Sequence, residues 1–395
     1  MAPPPELIDD AITEILLRLP PDDPSCLQRA ALVCKSWRRV LSDPAFLRRY
    51  RAFRQIPPPL LGFLRPFYGG TGRPVLGFVP LTPFRPRLSD DIRSGGWVVD
   101  CRHGRALLLS SSTSPGGERR ADMIVWDPMT GDRRRLRDPG FPFKVHTAAV
   151  LCAAAGCSHL GCHGGPFHVV FVFSNATDWF TRACVYSSET AAWSAPASLD
   201  LIDVFFVTGR QGVLVGEAFY FLRVRGILQY DLARHCLLAI EFPAYMNSNT
   251  ILMEAEGDRL GVACMSGTNL YLHYREVSPD GIARWTQPRV INLVTVTTLG
   301  SIFPTSYRTC LMGFAKGGTL IFLSTGTGHY MFDLKSMQFK KIGDRGAFTY
   351  VYPYMSFYIP VQTQTLTNAR TLNPMNARTQ PYPYEHLRET EPADP

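Results

Sequence analysis

Ala218-Phe219-Tyr220-Phe221-Leu222, Leu228-Gln229-Tyr230-Asp231 and Leu238-Ala239-Ile240 follow one another closely as three strand-like runs. Each run is strand-length, rich in aromatic or branched side chains, and bounded by Gly, Asp or Pro. The middle run ends on an aromatic, a turn follows, and another strand leads to Pro243. The same order recurs at Val125-Trp126-Asp127…Arg135-Leu136, Val185-Tyr186-Ser187…Trp193-Ser194, His273-Tyr274-Arg275…Trp285 and Met331-Phe332-Asp333…Phe339-Lys340-Lys341-Ile342. The aromatics Trp126, Tyr186, Tyr230, Tyr274 and Phe332 lie 60, 44, 44 and 58 residues apart.

A step of this size holds about one four-stranded blade. With a further unit at Leu60–Pro80 the period predicts a mainly β body folded as a β-propeller, with six blades expected and seven as the alternative. A ring protects strand edges that an open array leaves exposed, which favours it over a pair of stacked β-sandwiches. The alternating segment Phe348–Pro360 is expected to pair with Leu60–Pro80 and close the ring.

Composition agrees. The chain has 395 residues, 46% hydrophobic and 19% charged, which argues against disorder over most of its length. No apolar run approaches a membrane span; the longest are of the size of Phe167–Phe173. The N-terminal residues lack the pattern of a secretory signal, and the ten cysteines are irregularly spaced, so reduced thiols in cytoplasm or nucleus are expected. The net charge of +8 is spread over a large body, and neither nucleic acid nor membrane is an expected partner. Three parts emerge: a helical module at 1–55, the β body at 56–360 and a polar, disordered tail at 361–395.

The helical module reads from its apolar stripe. Leu7, Ile8, Ala11, Ile12, Ile15, Leu16 and Leu19 recur at three- and four-residue steps before Pro20-Pro21 stops the helix. Asp23-Pro24 and Asp43-Pro44 each place a capping residue before proline at a first helical position. Between and after them run Leu27, Ala30, Ala31, Val33, Trp37, Val40 and Leu41, then Phe46, Leu47, Tyr50 and Phe53. Glu14-Ile15-Leu16-Leu17-Arg18-Leu19-Pro20 and Val33-Cys34-Lys35-Ser36-Trp37-Arg38, at this spacing, resemble an F-box over roughly Pro5 to Tyr50. The start, Leu7-Ile8, departs from the usual Leu-Pro. That resemblance implies docking on a Skp-type adaptor, and through it on a cullin, in an SCF-type ubiquitin ligase. The expected adaptor anchors are Leu7, Ile8, Ile12, Ile15, Leu16, Leu19, Pro20, Leu27, Val33, Cys34 and Trp37.

The β body is similar to the F-box-associated propeller region of plant, especially grass, F-box proteins. Asp100-Cys101-Arg102-His103-Gly104-Arg105-Ala106-Leu107-Leu108, Val125-Trp126-Asp127-Pro128-Met129-Thr130-Gly131 and Gly156-Cys157-Ser158-His159 carry that likeness. It implies a body that binds a target protein of unknown identity for ubiquitination, and says nothing of the ligand. The rival is a sugar- or small-molecule-binding propeller with no ligase role.

Catalytic patterns are missing. There is no G-x-S-x-G elbow and no His-Glu-x-x-His, and Gly69-Gly70-Thr71-Gly72-Arg73-Pro74 lacks the ending of a phosphate loop. Arg133-Arg134-Arg135 reads as a solvated hairpin edge. No catalytic residue, cofactor or metal is expected. Cys152, Cys157, His159, Cys162 and His163 are the one group with zinc-ligand chemistry, but their spacing departs from a standard knuckle. With Gly156, Gly161, Gly164 and Gly165 around them, they read as a flexible loop of reduced, partly buried thiols.

Overall fold

In three of the repeats an aromatic-Asp pair marks one fixed point, the end of a third strand: Trp126-Asp127, Tyr230-Asp231 and Phe332-Asp333. Asp231 Oδ1 accepts hydrogen bonds from the backbone N–H groups of Ala233 (3.0 Å) and Arg234 (2.8 Å), folding the chain into a tight turn. Asp127 Oδ1 does the same for Met129 (2.8 Å), and Asp333 Oδ1 for Lys335 (2.9 Å). Such turns need only local chemistry, which is why they are visible in sequence. The preceding aromatics Trp126, Tyr230 and Phe332 are all fully buried. Each such side chain removed from water contributes roughly 1.5–3 kcal/mol.

These turns belong to a computed structural model that describes residues 8–19, 25–41, 43–54, 58–68, 74–94, 96–113, 119–143, 145–157, 159, 162, 164–174, 180–200, 210–243, 246–278, 282–296, 309–315, 319–344 and 350–356. The expected tail at 361–395 lies outside them. Antiparallel pairing arranges the strands as six blades. Blade 2 runs Trp97–Arg102, Arg105–Thr113, Arg119–Trp126, Arg133–Leu136. Blade 3 runs Val145–Cys152, Phe167–Ser174, Phe180–Ser187, with Ala192–Trp193 and Ala197–Asp200 both on the third strand. Blade 4 comprises Val213–Val215, Ala218–Arg223, Gly226–Asp231 and Cys236–Ile240. Blade 5 comprises Thr250–Ala255, Arg259–Ser266 and Asn269–Val277, the last carrying Ala283–Trp285 and Arg289–Asn292. Blade 6 is Cys310–Ala315, Leu320–Thr325, Gly328–Asp333 and Gln338–Gly343.

Blade 1 is made from both ends of the β body. Leu60–Tyr68 pairs on one side with Pro74–Pro80 and on the other with Tyr352–Met355, in the register Gly62 to Tyr354 and Leu64 to Tyr352. This is the expected closure, narrowed to four residues of Phe348–Pro360. Tyr352 and Tyr354 are buried, and burial pushes both phenols well above their ordinary range. A chain ending after Gly346 loses this strand and bares the edge of Leu60–Tyr68, so it should be recovered as insoluble protein. A chain ending after Val361 should stay as soluble as the parent. Equal solubility of the two truncations, read by gel filtration, would contradict closure by this strand.

The core is divided by blade interface. One apolar cluster lies between each neighbouring pair of blades, from Leu64, Leu108 and Tyr354 between blades 1 and 2 round to Phe63 and Phe322 between blades 6 and 1. A further cluster belongs to the helices alone: α1 (Asp9–Leu17), α2 (Ser25–Ala31), α3 (Lys35–Leu41) and α4 (Pro44–Arg54). Among the described residues no helix is long and apolar enough to cross a membrane.

Candidate functional site

Two places could bind: the surface of the helical module and the centre of the propeller. In the helical module, the 3.6-residue period of α1 turns Ile12, Leu16 and Leu17 inward onto Leu27, Leu41, Phe46 and Tyr50. Ile12, Leu16 and Leu27, expected as adaptor anchors, are buried in the module's own core; Leu16 is 0% exposed. Leu19 and Trp37 are half-buried against that core. The Tyr50 hydroxyl donates to the Leu19 carbonyl at 3.0 Å and ties down the end of α1. Leu7 and Pro20 lie outside the described residues.

Among the exposed side chains of the module several are apolar, three of them contiguous at Leu32-Val33-Cys34. Ile8 is 71% exposed, Val33 62%, and Leu32, which the sequence reading passed over, 83%. Ile15 and Cys34 are exposed as well. The stripe of Leu27, Ala30 and Ala31 suggested a helix running on through Val33, but the chain leaves the helix at Leu32 and α3 starts at Lys35. Cys34 occupies the capping position, its Sγ accepting from the Trp37 N–H at 3.5 Å. Asp43 Oδ1 caps α4 as its Asp-Pro signal implied, accepting from the Ala45 N–H at 2.8 Å. Leu32 could have been found by its phase, since it falls off the apolar face of α2.

At the propeller centre, a cavity of about 240 Å³ is lined by residues on the first strands of four blades, among them Arg102, Val213, Leu252 and Met312, by Tyr354 of the closing strand, and by His103 and His159. Its polar groups are mostly committed to holding blades together. Asp100, fully buried, accepts from Gln211 Nε2 (2.8 Å) and from the Val150 N–H (2.9 Å), and pairs with Arg102 Nε at 3.4 Å. Arg102 donates onward to the Gly212 carbonyl at 2.6 Å. Residue 212 must be glycine for this approach, because a Cβ there would lie 2.3 Å from the Phe219 ring. Three blades thus meet on one carboxylate. Asn249 links blades 5 and 6 in the same manner, donating to the Thr309 carbonyl (2.6 Å) and accepting from the Leu311 N–H (2.8 Å). Arg210 donates to the Leu311 carbonyl and lies over the Tyr350 ring at 4.7 Å; burial pulls its guanidinium below the usual range.

The fold also gathers Cys152, Cys157, His159 and Cys162 beside this cavity; His163 lies outside the described residues. Burial acts to raise the thiols. At Cys157 the His159 N–H and the Cys162 thiol outweigh burial and hold the group below its ordinary value, while Cys162, beside Cys152, is pushed well up.

Residues 5–49 match the F-box domain model. No curated protein matches the chain. Among solved structures, the chain is similar to the β-propeller domain of the trilobed protease from Pyrococcus furiosus, which has an open velcro topology: 8% identity, TM-score 0.35, covering 63% of this chain and 85% of that one. It is also similar to the extracellular domain of the one component system BT4673 from B. thetaiotaomicron: 10% identity, TM-score 0.31, covering 63% of this chain and only 29% of that one. Six blades are counted from strand pairing and not from these likenesses. The chain is an F-box domain at 5–49 joined to a six-bladed β-propeller.

Proposed function

We propose that this chain is the substrate-recognition subunit of an SCF-type ubiquitin ligase, of the grass-type F-box-associated class, acting in cytoplasm or nucleus. The F-box domain implies the adaptor role, and such proteins are generally non-catalytic subunits. The observation that carries the docking face is the exposed apolar group of Ile8, Ile15, Leu32, Val33 and Cys34, on a module whose core is already filled without them. Large apolar side chains held in water on a small domain favour burial in a partner groove. The adaptor brings the cullin, and the propeller holds a target protein. The contribution to ubiquitin transfer is then proximity, since two binding surfaces on one chain raise the effective concentration of the target near the conjugating machinery. A small-molecule pocket in the channel is the lesser reading, because Arg102, Gln211 and Asp100 are already paired with one another and with the backbone.

Affinity capture of the full chain beside the Leu32→Asp/Val33→Asp variant tests the reading. Adaptor and cullin should come down with the parent and be lost from the variant, while proteins held by the propeller stay with both. Equal adaptor recovery in the two captures would contradict this docking face.

A further inference from the structure

We propose that Cys152, Cys157, His159 and Cys162 form a closed tetrahedral zinc site that pins Cys157, His159 and Cys162 to the end of the strand Val145–Cys152, at the rim of the propeller channel. This reverses the expectation drawn from their spacing, because ligand spacing in sequence matters less than where the fold delivers the ligand atoms. The three sulfurs and one imidazole nitrogen all lie within 4.8 Å of one another. Cys157 Sγ is 3.5 Å from Cys162 Sγ, and Cys162 Sγ is 3.6 Å from His159 Nδ1. Zinc bound at about 2.3 Å to sulfur and about 2.0 Å to nitrogen, at tetrahedral angles, sets ligand atoms roughly 3.5–3.8 Å apart. These two edges are therefore at metal-site length already, and with every ligand atom within 4.8 Å of the others only small closing movements complete the figure.

The surroundings are those of a ligand set held in place. The His159 N–H donates to Cys157 Sγ at 3.4 Å, a bond that favours sulfur as thiolate. Gly156, His159 and Gly164 all adopt positive φ, at 63°, 58° and 70°, so the backbone turns sharply on either side of the ligands. His159 pays conformational strain there that a glycine would not. Its ring stacks on that of His103 with centroids 4.0 Å apart and planes at 11°, which fixes the imidazole plane. His103 in turn accepts the Cys152 N–H at its Nδ1, at 3.1 Å. The Arg105 guanidinium donates to the carbonyls of Cys162 and Gly165. Ligands and their supports thus interlock, the pattern by which outer groups orient metal-binding side chains.

Charge and donor type select the ion. Three thiolates and a neutral imidazole around a dication leave one net negative charge, and Arg105 lies beside it to offset it. Sulfur with imidazole in a compact four-ligand cage suits zinc over hard cations such as magnesium or calcium. Four protein ligands leave no open position, so the site is structural. Because His159 also lines the cavity, the metal would set the shape of the channel rim on the blade 3 side.

The test is metal analysis of the full chain, expressed with zinc in the medium and purified without chelator. About one zinc per chain is expected, released by a thiol-modifying reagent and lost from Cys157→Ser/Cys162→Ser. Cys236→Ser, in blade 4, should keep it. Cobalt titrated into protein stripped of zinc should give the visible bands of a tetrahedral site with sulfur-to-metal charge transfer. Should the double serine variant fail to fold, His159→Cys serves instead: it should keep the metal and shift the cobalt spectrum to that of an all-sulfur site. Parent protein with no zinc and all ten cysteines reactive would overturn the proposal, leaving free thiols. No zinc with two fewer reactive thiols would overturn it equally, in favour of a Cys157–Cys162 disulfide.

Discussion

Replacing Asp100 with alanine should lower the melting temperature of the propeller by roughly 10 °C, because breaking a buried ion pair typically costs about 3–5 kcal/mol. The physical reason is the number of donors that converge on one carboxylate. Arg102, the Gln211 amide and the Val150 N–H all point at it, from blades 2, 3 and 4 or the segment entering blade 4, and all are donors. Alanine leaves the Arg102 charge, 6% exposed, without its carboxylate. Asparagine should rescue little, since its amide NH2 would face one of those donors rather than accept from it. The pair Asp100→Leu/Arg102→Met should recover part of the loss, because removing both charges avoids a stranded one. Thermal unfolding followed by circular dichroism checks this. An Asp100→Ala melt within about 2 °C of the parent would show that Asp100 does not join the blades.

The second large effect separates core from surface in the F-box domain. Leu16→Ala should unfold the helical module and so abolish adaptor capture. A buried leucine truncated to alanine costs about 2–5 kcal/mol, and a domain of this size rarely has more than about 3–5 kcal/mol of stability. Leu32→Asp/Val33→Asp should also abolish capture but leave the helices intact, since neither side chain belongs to the cluster around Leu16 and Tyr50. The propeller transition should barely move in either case, because its apolar clusters share no residue with that of the helices. The far-UV helical signal and adaptor capture, measured together on both variants, decide it. Leu16→Ala protein that keeps its helices and still binds would undo the core assignment.

The contrast between these residues shows what the sequence could reveal. Features made by neighbours were legible. Asp127, Asp231 and Asp333 close turns onto residues two or three positions on, and Asp43 caps its own helix, while the blades were legible in the spacing of Trp126, Tyr186, Tyr230, Tyr274 and Phe332. The alternation of Phe348–Pro360 foretold a strand, found at Tyr352–Met355, and ring closure named its partner. Features made across the chain were not legible. Asp100 meets Val150 and Gln211 only because blades 2, 3 and 4 stand side by side, and Cys152 meets Cys162 through left-handed backbone at Gly156 and His159. In the F-box domain the motif supplied the identity of apolar residues but not their direction. Helical phase puts Ile12, Leu16 and Leu27 inside, and the break after Ala31, which carries neither Gly nor Pro, throws Leu32 and Val33 outward.

Titration calorimetry of a purified Skp-type adaptor into the full chain tests the ligase reading most directly. Saturable one-to-one binding is expected for the parent, with the Leu32→Asp/Val33→Asp variant weaker by about 30-fold or more, the equivalent of losing about 2 kcal/mol of anchor contact. A parent chain that binds no adaptor, or a variant that binds it as tightly, would contradict the account.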